Sequence, residues 1–186
     1  MSEVLAILSR KGGVGKTHTS IHAAAILKKR RKDVAVLDLD PEGSAASWSR
    51  QKNALPFPVY TARQREEASK HAYLVIDTPP NDSRTLGDAA RLATRVVVVA
   101  GADGLEADRL VPTLEALAAS GFQGKWGILL NRVPRGNLGP AMQSYLEGEE
   151  LPVLGLIPDR AEYHRVFGEN PGRLDEYEAA LKKVLG

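Results

Sequence analysis

A glycine-rich segment close to the start of the chain constrains the fold more than any other feature. Residues Lys11–Thr17 read KGGVGKT and lie between an apolar run, Val4–Leu8, and a helical pattern, Lys16–Arg30. Glycines let the backbone turn tightly and point successive N–H groups into one concavity, and the start of a helix adds positive potential there. The segment therefore predicts a loop that joins a strand to a helix and cradles phosphate oxygens. In such a loop Lys16 reaches the β and γ phosphates, and Thr17 places its hydroxyl on a magnesium ion.

Short apolar runs alternate with longer helical patterns along the rest of the chain. This alternation is typical of an α/β protein whose mostly parallel, twisted sheet carries helices on both faces. Most runs are uninterrupted, as expected for strands that are buried on both sides. The predicted strands are Val4–Leu8, Val34–Leu37, Tyr73–Ile76, Val96–Ala100, Trp126–Leu130 and Val153–Ile157, with Phe57–Thr61 as a candidate edge strand. The predicted helices are Lys16–Arg30, Ser44–Lys52, Arg84–Ala93, Leu105–Ser120, Leu138–Leu146 and Leu174–Leu185.

Composition and charge describe an ordinary globular chain and exclude several kinds of site. Of the 186 residues, 43% are hydrophobic and 26% are charged, and 25 basic against 23 acidic side chains give a formal net charge of +2. This is the length of one domain, so we expect a single domain over residues 1–186. Cysteine is absent, which excludes disulfides, thiolate-bound zinc and cysteine-held iron–sulfur clusters. The N-terminus lacks the order of a signal peptide, and no apolar stretch approaches the roughly 20 residues of a membrane helix, so we expect a cytoplasmic protein.

Aspartates stand at the ends of two predicted strands. Asp38 and Asp40 follow the second strand, and alternation along a strand puts both side chains on one side. Asp77 ends the apolar run Tyr73–Ile76. The carboxyl ends of parallel strands form the crevice in which α/β proteins bind ligands, so we expect these carboxylates beside the phosphate loop. There Asp38 and Asp40 can order the attacking water, and Asp77 can hold magnesium.

The phosphate loop resembles the deviant Walker A motif of the ParA and MinD family of ATPases. The strict P-loop pattern has glycine where this chain has Arg10, whereas this family is marked by an extra lysine at the position of Lys11. In the family that lysine crosses a dimer interface to the phosphates of the ATP held by the partner subunit. The resemblance therefore implies a P-loop NTPase fold, ATP and Mg²⁺ as cofactors, and catalytic roles for Lys11 and Lys16. His18 stands where the family more often has threonine.

Further segments extend the resemblance along most of the chain. Asp38–Pro41 is similar to the second acidic motif, in which the aspartate matching Asp40 is the residue that hydrolysis depends on, although this chain has Glu42 where glutamine is usual. The strand that ends at Asp77 looks like a Walker B strand. At two later strand ends the resemblance implies contacts to the adenine base. The nucleotide contacts implied in this way are Lys11, Gly12, Gly13, Val14, Gly15, Lys16, Thr17, His18, Asn131 and Pro158.

The resemblance also implies a cellular role. Short members of the family begin directly with the phosphate-loop strand, as this chain does, so we expect no N-terminal helix-turn-helix domain. In the family, ATP closes a homodimer that binds double-stranded DNA without sequence preference, and a ParB-like or cargo adaptor protein stimulates hydrolysis. We therefore expect a nucleoid-associated ATPase that partitions plasmid or chromosomal DNA or positions another cargo. Arg135, Arg160 and Arg165 are the candidate DNA contacts, whereas the basic run Lys28–Lys32 is expected to end a helix.

Two alternatives stay open from the sequence. A MinD-like ATPase that lies on a membrane needs a basic amphipathic C-terminal helix, but acidic residues offset the basic ones in this tail. We therefore expect its apolar stripe, which includes Leu174, Tyr177 and Leu181, to pack against the domain. A nucleotide-gated switch that scarcely hydrolyses ATP has the same motifs as a slow ATPase, and only measured turnover separates the two.

Overall fold

The chain forms a seven-stranded sheet in the order β3-β2-β4-β1-β5-β6-β7, and all paired strands are parallel. The computed structural model describes residues 2–51, 55–102 and 104–186, and only the backbone of residues 104–109. The expectation of a mostly parallel sheet with helices on both faces is therefore confirmed. The strands are β1 (Glu3–Leu8), β2 (Val34–Asp38), β3 (Val59–Thr61), β4 (Tyr73–Asp77), β5 (Arg95–Ala100), β6 (Lys125–Val133) and β7 (Val153–Pro158).

All six strands predicted beside the candidate edge strand are present, with bounds that differ from the prediction by a few residues, and the last of them, β7, forms the other edge of the sheet. The candidate edge strand is present as the short β3, which pairs only with β2 at the rim of the sheet. The strand β6 runs beyond its predicted end at Leu130, and its pairing with β7 shifts register between Leu130 and Val133. Between these two pairs β6 has one residue more than β7, as in a β-bulge, and Asn131 lies in this segment.

Helices connect the strands and cover both faces of the sheet. They are α1 (Lys16–Lys29), α2 (Ser44–Ser49), α3 (Arg65–Ala68), α4 (Ser83–Leu92), α5 (Gly104–Ala119), α6 (Leu138–Gly148), α7 (Ala161–Arg165) and α8 (Asp175–Leu185), with a 3₁₀ turn at Ala62–Gln64. The sequence did not predict α3 and α7, which are too short to show helical periodicity. The helix predicted over Ser44–Lys52 ends at Ser49, and Lys52 lies outside the described residues.

Alternation along the strands divides the buried side chains into one core on each face of the sheet. On β1, Leu5 and Ile7 belong to the core beneath α1 and α8, whereas Ala6 and Leu8 belong to the core on the opposite face. The same division separates Val97 and its neighbours on β5. Each large apolar side chain that is buried in this way contributes about 1.5–3 kcal/mol. The central strands are thus held from both sides, which fixes the positions of the loops at their ends.

The C-terminal helix α8 packs against the domain, as the sequence predicted. Tyr177, Leu181 and Val184 are buried in the core of the face that also contains α1. The apolar stripe of α8 is therefore covered by the domain in this structure. Among the described residues, no helix combines the length and the apolar character needed to cross a membrane.

The sheet register brings the predicted acidic residues together. Asp38 at the end of β2 lies directly opposite Asp77 at the end of β4, and Asp77 in turn pairs with Ile7 of β1. The strand β1 lies between β4 and β5 in the middle of the sheet. The loop that follows β1 therefore emerges beside both carboxylates, at the edge where parallel sheets bind their ligands.

Candidate functional site

The loop between β1 and α1 depends on glycine at two positions. Gly13 and Gly15 have φ angles of 77° and 93°, in the left-handed region that side chains disfavour. At Gly15 space is also lacking, because a Cβ atom there would lie 2.2 Å from Nδ2 of Asn131. The carbonyl of Gly15 accepts the first helical hydrogen bond from the N–H of Thr19, at 2.9 Å. The loop therefore turns directly into α1 and leaves the first amides of that helix facing a possible anion.

Lys16 lies across the loop with its ammonium group inside the site. The residue is buried, and its Nζ donates a hydrogen bond to the carbonyl of Lys11 at 2.8 Å. Burial lowers the pKa of Lys16, while the carboxylates of Asp77 and Asp40 act in the opposite direction. The ammonium group thus has one hydrogen bond to a carbonyl and two carboxylates nearby. It can replace that hydrogen bond with stronger, charge-assisted hydrogen bonds to phosphate oxygens.

Asp77 is the most deeply buried ionisable group of the site. It is 0% exposed, and its two carboxylate oxygens accept hydrogen bonds from Thr17 Oγ1 at 2.7 Å and from Ser20 Oγ at 3.0 Å. Burial raises the pKa of Asp77 to about 7, and the neighbouring Asp38 carboxylate adds to this rise against the effect of the two hydroxyls. The predicted pair of Thr17 and Asp77 is therefore in direct contact.

Ser20 is a residue of this site that the sequence reasoning missed. It follows Thr17 by three positions on α1, so the two hydroxyls lie on the same face of the helix and meet the same carboxylate. That spacing was visible in the sequence, but nothing indicated that Asp77 would be close enough to accept both bonds.

The oxygen atoms at this point fit a magnesium ion that is completed by other ligands. Mg²⁺ prefers carboxylate and hydroxyl oxygens and is commonly bound through one or two protein groups together with phosphates and water. Thr17 and Asp77 supply such oxygens beside Lys16. In the part of the chain that the structure describes, no group of three or more His, Asp or Glu side chains could hold a metal alone.

The two aspartates that follow β2 lie in different surroundings. Asp38 is buried, and its oxygens accept hydrogen bonds from the N–H of Asp40 at 3.1 Å and from the N–H of Ala46 at 2.9 Å. Burial raises the pKa of Asp38 against the effect of these bonds. The strand ends at Asp38, so the expected alternation does not extend to Asp40. Asp38 holds the loop to the start of α2, whereas Asp40 lines the cavity.

A cavity of about 350 Å³ opens at the phosphate loop. Its volume lies within the range of small-molecule sites in proteins. Its lining combines polar groups, among them Lys16, Thr17, Asp40 and Glu42, with the rings of Trp48 and Phe167. Arg132 also lines it, and its Nε lies close to Gly15.

Lys11 lies at the border of the site. It is partly exposed and lines a neighbouring depression of about 400 Å³ with Arg10, Gly12, Asn81 and Pro112. Gly12 borders both this depression and the cavity that holds Lys16. The predicted loop residues therefore divide between two adjoining surfaces, with Lys16 on the inner one and Lys11 on the outer one.

Asn131 and Pro158 lie together beside the loop, but the Asn131 amide is engaged within the protein. Its Nδ2 donates to the carbonyl of Val14 at 2.8 Å, and its Oδ1 accepts from the hydroxyl of Tyr177 at 3.3 Å. The crevice that these residues line measures only about 10 Å³, which is roughly the room that one water molecule needs. In this arrangement Asn131 fixes the phosphate loop to α8, and its contact with a base stays a prediction.

The arginines predicted to meet DNA are placed around α7. Arg135 and Arg160 line one shallow depression of about 550 Å³, and the exposed Arg165 ends α7. Arg160 is ion-paired with Glu176 at 2.6 Å. The structure thus brings Arg135 and Arg160 to one surface, but a carboxylate of α8 already neutralises part of its charge.

The basic run Lys28–Lys32 begins in the last turn of α1, as predicted. Lys29 and Arg30 both pair with Glu178 of α8, at 3.0 and 3.4 Å. Two cations of the run therefore join α1 to α8, and they also meet the negative end of the helix dipole.

Comparisons with known proteins agree with this geometry. A family model described as the CobQ/CobB/MinD/ParA nucleotide binding domain matches residues 5–171. The maintenance of carboxysome distribution protein A of Gloeobacter kilaueensis is 33% identical over 150 residues, which are 76% of this chain and 68% of that protein. The structure of apo McdA from Cyanothece superposes with a TM-score of 0.81 over the whole of both chains at 16% identity. A putative plasmid partition protein of Borrelia burgdorferi bound to AMPPNP gives 0.81 at 18% identity, over 100% of this chain and 99% of that one. The chain belongs to the CobQ/CobB/MinD/ParA family of nucleotide-binding domains and has its P-loop NTPase fold.

Proposed function

We propose that this protein is a magnesium-dependent ATPase that closes as a homodimer around two ATP molecules and positions a cargo on DNA. The observation that carries the proposal is the arrangement at the start of α1. There the buried Lys16 ammonium lies near the paired Thr17 and Asp77 side chains. A triphosphate is the ligand that suits one buried cation, a row of backbone amides and a magnesium site at once.

In this proposal each residue has a separate task. Lys16 leaves the carbonyl of Lys11 and neutralises the β and γ phosphates. Thr17 and Asp77 hold Mg²⁺, which supplies positive charge against the phosphate oxygens when it is bound. Asp40 lines the same cavity as Lys16 and Thr17 and accepts a hydrogen bond from the attacking water. Asp38 keeps the Asp40 loop in place through its bonds to the backbone.

The position of Lys11 supports a role across a dimer interface. Lys11 is partly exposed and lines a depression that shares Gly12 with the cavity of Lys16. In this proposal its ammonium group reaches a nucleotide held by a second copy of the chain. A second cation at the transferred phosphoryl group stabilises the charge that develops in the transition state, as an arginine finger does.

DNA and a cargo complete the proposal. The exposed Arg135, Arg160 and Arg165 can contact phosphates without reading base sequence. The relatives are named for carboxysome distribution and plasmid partition, so we propose a cargo that the protein distributes along the nucleoid in the cytoplasm. A ParB-like or other adaptor on that cargo would stimulate hydrolysis, since slow intrinsic turnover is needed for a gradient of bound protein to form.

The decisive experiment measures size, DNA retention and phosphate release on the same preparations. With ATP and Mg²⁺ the chain should elute at twice its mass of 20.1 kDa and bind random duplex DNA with an affinity that falls steeply with salt. The matched control is Lys16→Ala, which should stay monomeric. A wild-type protein that stays monomeric with ATP and Mg²⁺ would contradict the proposal. Dimerisation without phosphate release, even with DNA and the adaptor, would identify a nucleotide-gated switch instead.

A further inference from the structure

The basic run Lys28–Lys32 at the end of α1 is only partly explained by its contacts within the protein. Two of its five cations bind Glu178 of α8. The other three, Lys28, Arg31 and Lys32, are exposed, and we call them the α1 patch. In the described part of the chain, no carboxylate lies within ion-pairing distance of these three side chains. The patch is therefore a group of cations without a structural role.

The surroundings of the α1 patch leave most of its positive charge exposed. Asp33 follows the run directly, but its carboxylate accepts hydrogen bonds from His71 at 2.7 Å and from the N–H of Ala72 at 3.1 Å. The ammonium group of Lys32 lies 5.5 Å from the centre of the Tyr73 ring. Such a contact positions the ammonium group and does not neutralise it.

Arg31 occupies a backbone position that favours glycine. Its φ angle is 59°, in the left-handed region. The N–H of Arg31 donates to the carbonyl of Lys28 at 2.8 Å, and the N–H of Lys32 donates to the carbonyl of Leu27 at 3.0 Å. These two bonds form a Schellman motif, in which the left-handed residue is usually glycine because a side chain there strains the backbone. The chain thus has an exposed cation in the patch where glycine would be more stable, and such strain is typical of functional positions.

The α1 patch lies far from the phosphate loop. The helix α1 begins in that loop and has 14 residues, so its two ends are about 20 Å apart at the usual rise of an α-helix. All three cations of the patch come from one short segment of a single chain. The patch is therefore complete without a nucleotide and without a second copy of the protein.

We propose that the α1 patch binds the phosphate backbone of duplex DNA in the absence of nucleotide, as a contact separate from the arginine surface around α7. Exposed cations are sufficient for such a contact, which carries no sequence information. An element that lies on a membrane also needs apolar side chains beside its cations. Among the described residues, none of the large apolar side chains that are exposed belongs to α1 or to the loop after it. Duplex DNA is therefore the partner that the patch fits.

The test measures DNA binding and stability on the same variant. Fluorescence anisotropy of a labelled random-sequence duplex, without nucleotide, gives the binding constant over a series of salt concentrations. Arg31→Gly should reduce the slope of log K against log salt by about one, the effect of one lost phosphate contact. The same variant should unfold at a temperature about 2 °C higher, because glycine relieves the backbone strain. A purely structural role of Arg31 would change the unfolding temperature and leave the slope unchanged.

Two control variants separate backbone strain from charge. Glu150 also has a φ of 59°, and it occupies the same position of a Schellman motif at the end of α6. Glu150→Gly should therefore raise the unfolding temperature similarly without reducing the slope. Arg84→Gln removes an exposed cation from α4, which packs on the face of the sheet opposite α1, and should leave the slope unchanged. Lys16→Ala should bind the duplex as the wild type does, since the patch needs no nucleotide.

Each other outcome overturns the inference in a recognisable way. Equal slopes for the wild type and Arg31→Gly, or an equal loss in Arg84→Gln, would show that the patch is not a DNA contact. Tighter binding to phosphatidylserine vesicles than to the duplex would identify a membrane as the partner. Duplex binding that requires ATP and is lost in Lys16→Ala would place the DNA contact in the closed dimer alone, in agreement with the proposed function. Failure to dimerise with ATP and Mg²⁺, with nucleotide-free duplex binding as expected, would contradict the proposed function and support this inference.

Discussion

The phosphate end of the site and the region around β6, β7 and α8 are built in different ways. At the phosphate end the functional groups come from one continuous segment and from strand ends that the sheet places side by side, such as Asp38 and Asp77. Around β6 and β7 the side chains take their partners from distant parts of the chain, as Asn131 does with Val14, 117 positions away. The comparison shows that the role of a residue in a local motif can be inferred from the sequence. The role of a residue whose partners are distant in the chain can be inferred only from the complete fold.

The largest expected effect tests the local region. Lys16→Ala removes the one buried ammonium of the loop, and we expect no measurable binding of ATP or inorganic triphosphate by calorimetry. The fold should persist, because the Lys16 side chain donates its hydrogen bond to the carbonyl of Lys11 within the same loop. Thermal unfolding monitored by circular dichroism checks this. Retained triphosphate binding would contradict the assignment of the loop.

The next largest effect separates Lys11 from Lys16. Lys11→Ala should leave ATP binding within a few-fold of the wild type but reduce phosphate release by about 10³-fold, the scale of a lost trans cation. The size of the complex with ATP should also fall to that of a monomer. Lys70→Ala, which removes an exposed lysine that follows α3, is the matched control and should behave as the wild type. Normal turnover in Lys11→Ala would show that the lysine does not act across an interface.

The pH dependence of stability tests the region of distant contacts. Burial lowers the pKa of His22 from 6.5 to about 4, and its ring stacks on Tyr177 of α8 at 4.2 Å. Between these pH values the unfolded chain binds a proton that the native chain does not. The contribution of His22 to the free energy of unfolding is therefore fully present above pH 6.5. As the pH falls toward 4, the free energy of unfolding decreases by about 3 kcal/mol from this residue.

His22→Phe keeps an aromatic ring beside Tyr177 but does not titrate. In urea unfolding at pH 7 and pH 4, the loss of unfolding free energy on acidification should be smaller in this variant than in the wild type by about 3 kcal/mol. An equal loss in both proteins would show that His22 is not held neutral by the fold.

The smallest expected effect concerns the arginine surface. Glu176→Gln removes the carboxylate charge that pairs with Arg160 and, at longer range, with Arg173. The Gln side-chain oxygen can still accept the hydrogen bond of Tyr163, and loss of these partly exposed ion pairs should cost less than about 1 kcal/mol of stability. Retention on duplex DNA should persist to a higher salt concentration, because the cations on this surface are no longer neutralised by Glu176. Glu149→Gln changes the net charge equally at an exposed position and is the control. If both variants shift DNA retention equally, Arg160 is not a specific part of the DNA surface.

The predictions from sequence were accurate where a short segment determined the outcome. The alternating apolar runs predicted the parallel sheet, and the glycines, Lys16, Thr17 and Asp77 meet at one point because strand ends and a helix start are adjacent in this topology. The separation of Asp38 from Asp40 was not predictable, since it depends on where β2 ends and on the amide of Ala46. The internal bonds of Asn131 and Arg160 join them to α8, and a motif contains no information about such a partner.

Two hydrogen bonds, from Tyr177 to Asn131 and from Asn131 to Val14, connect the C-terminal helix to the phosphate loop. A shortened version that ends before Asp175 would keep the whole glycine-rich segment but lose the Tyr177 hydroxyl, which orients the Asn131 amide toward the phosphate loop. Such a fragment should bind nucleotide poorly, and a bulky fusion that displaces α8 should act in the same way. Protein engineers who work with this chain would therefore do better to attach labels elsewhere on the surface than to alter its final helix.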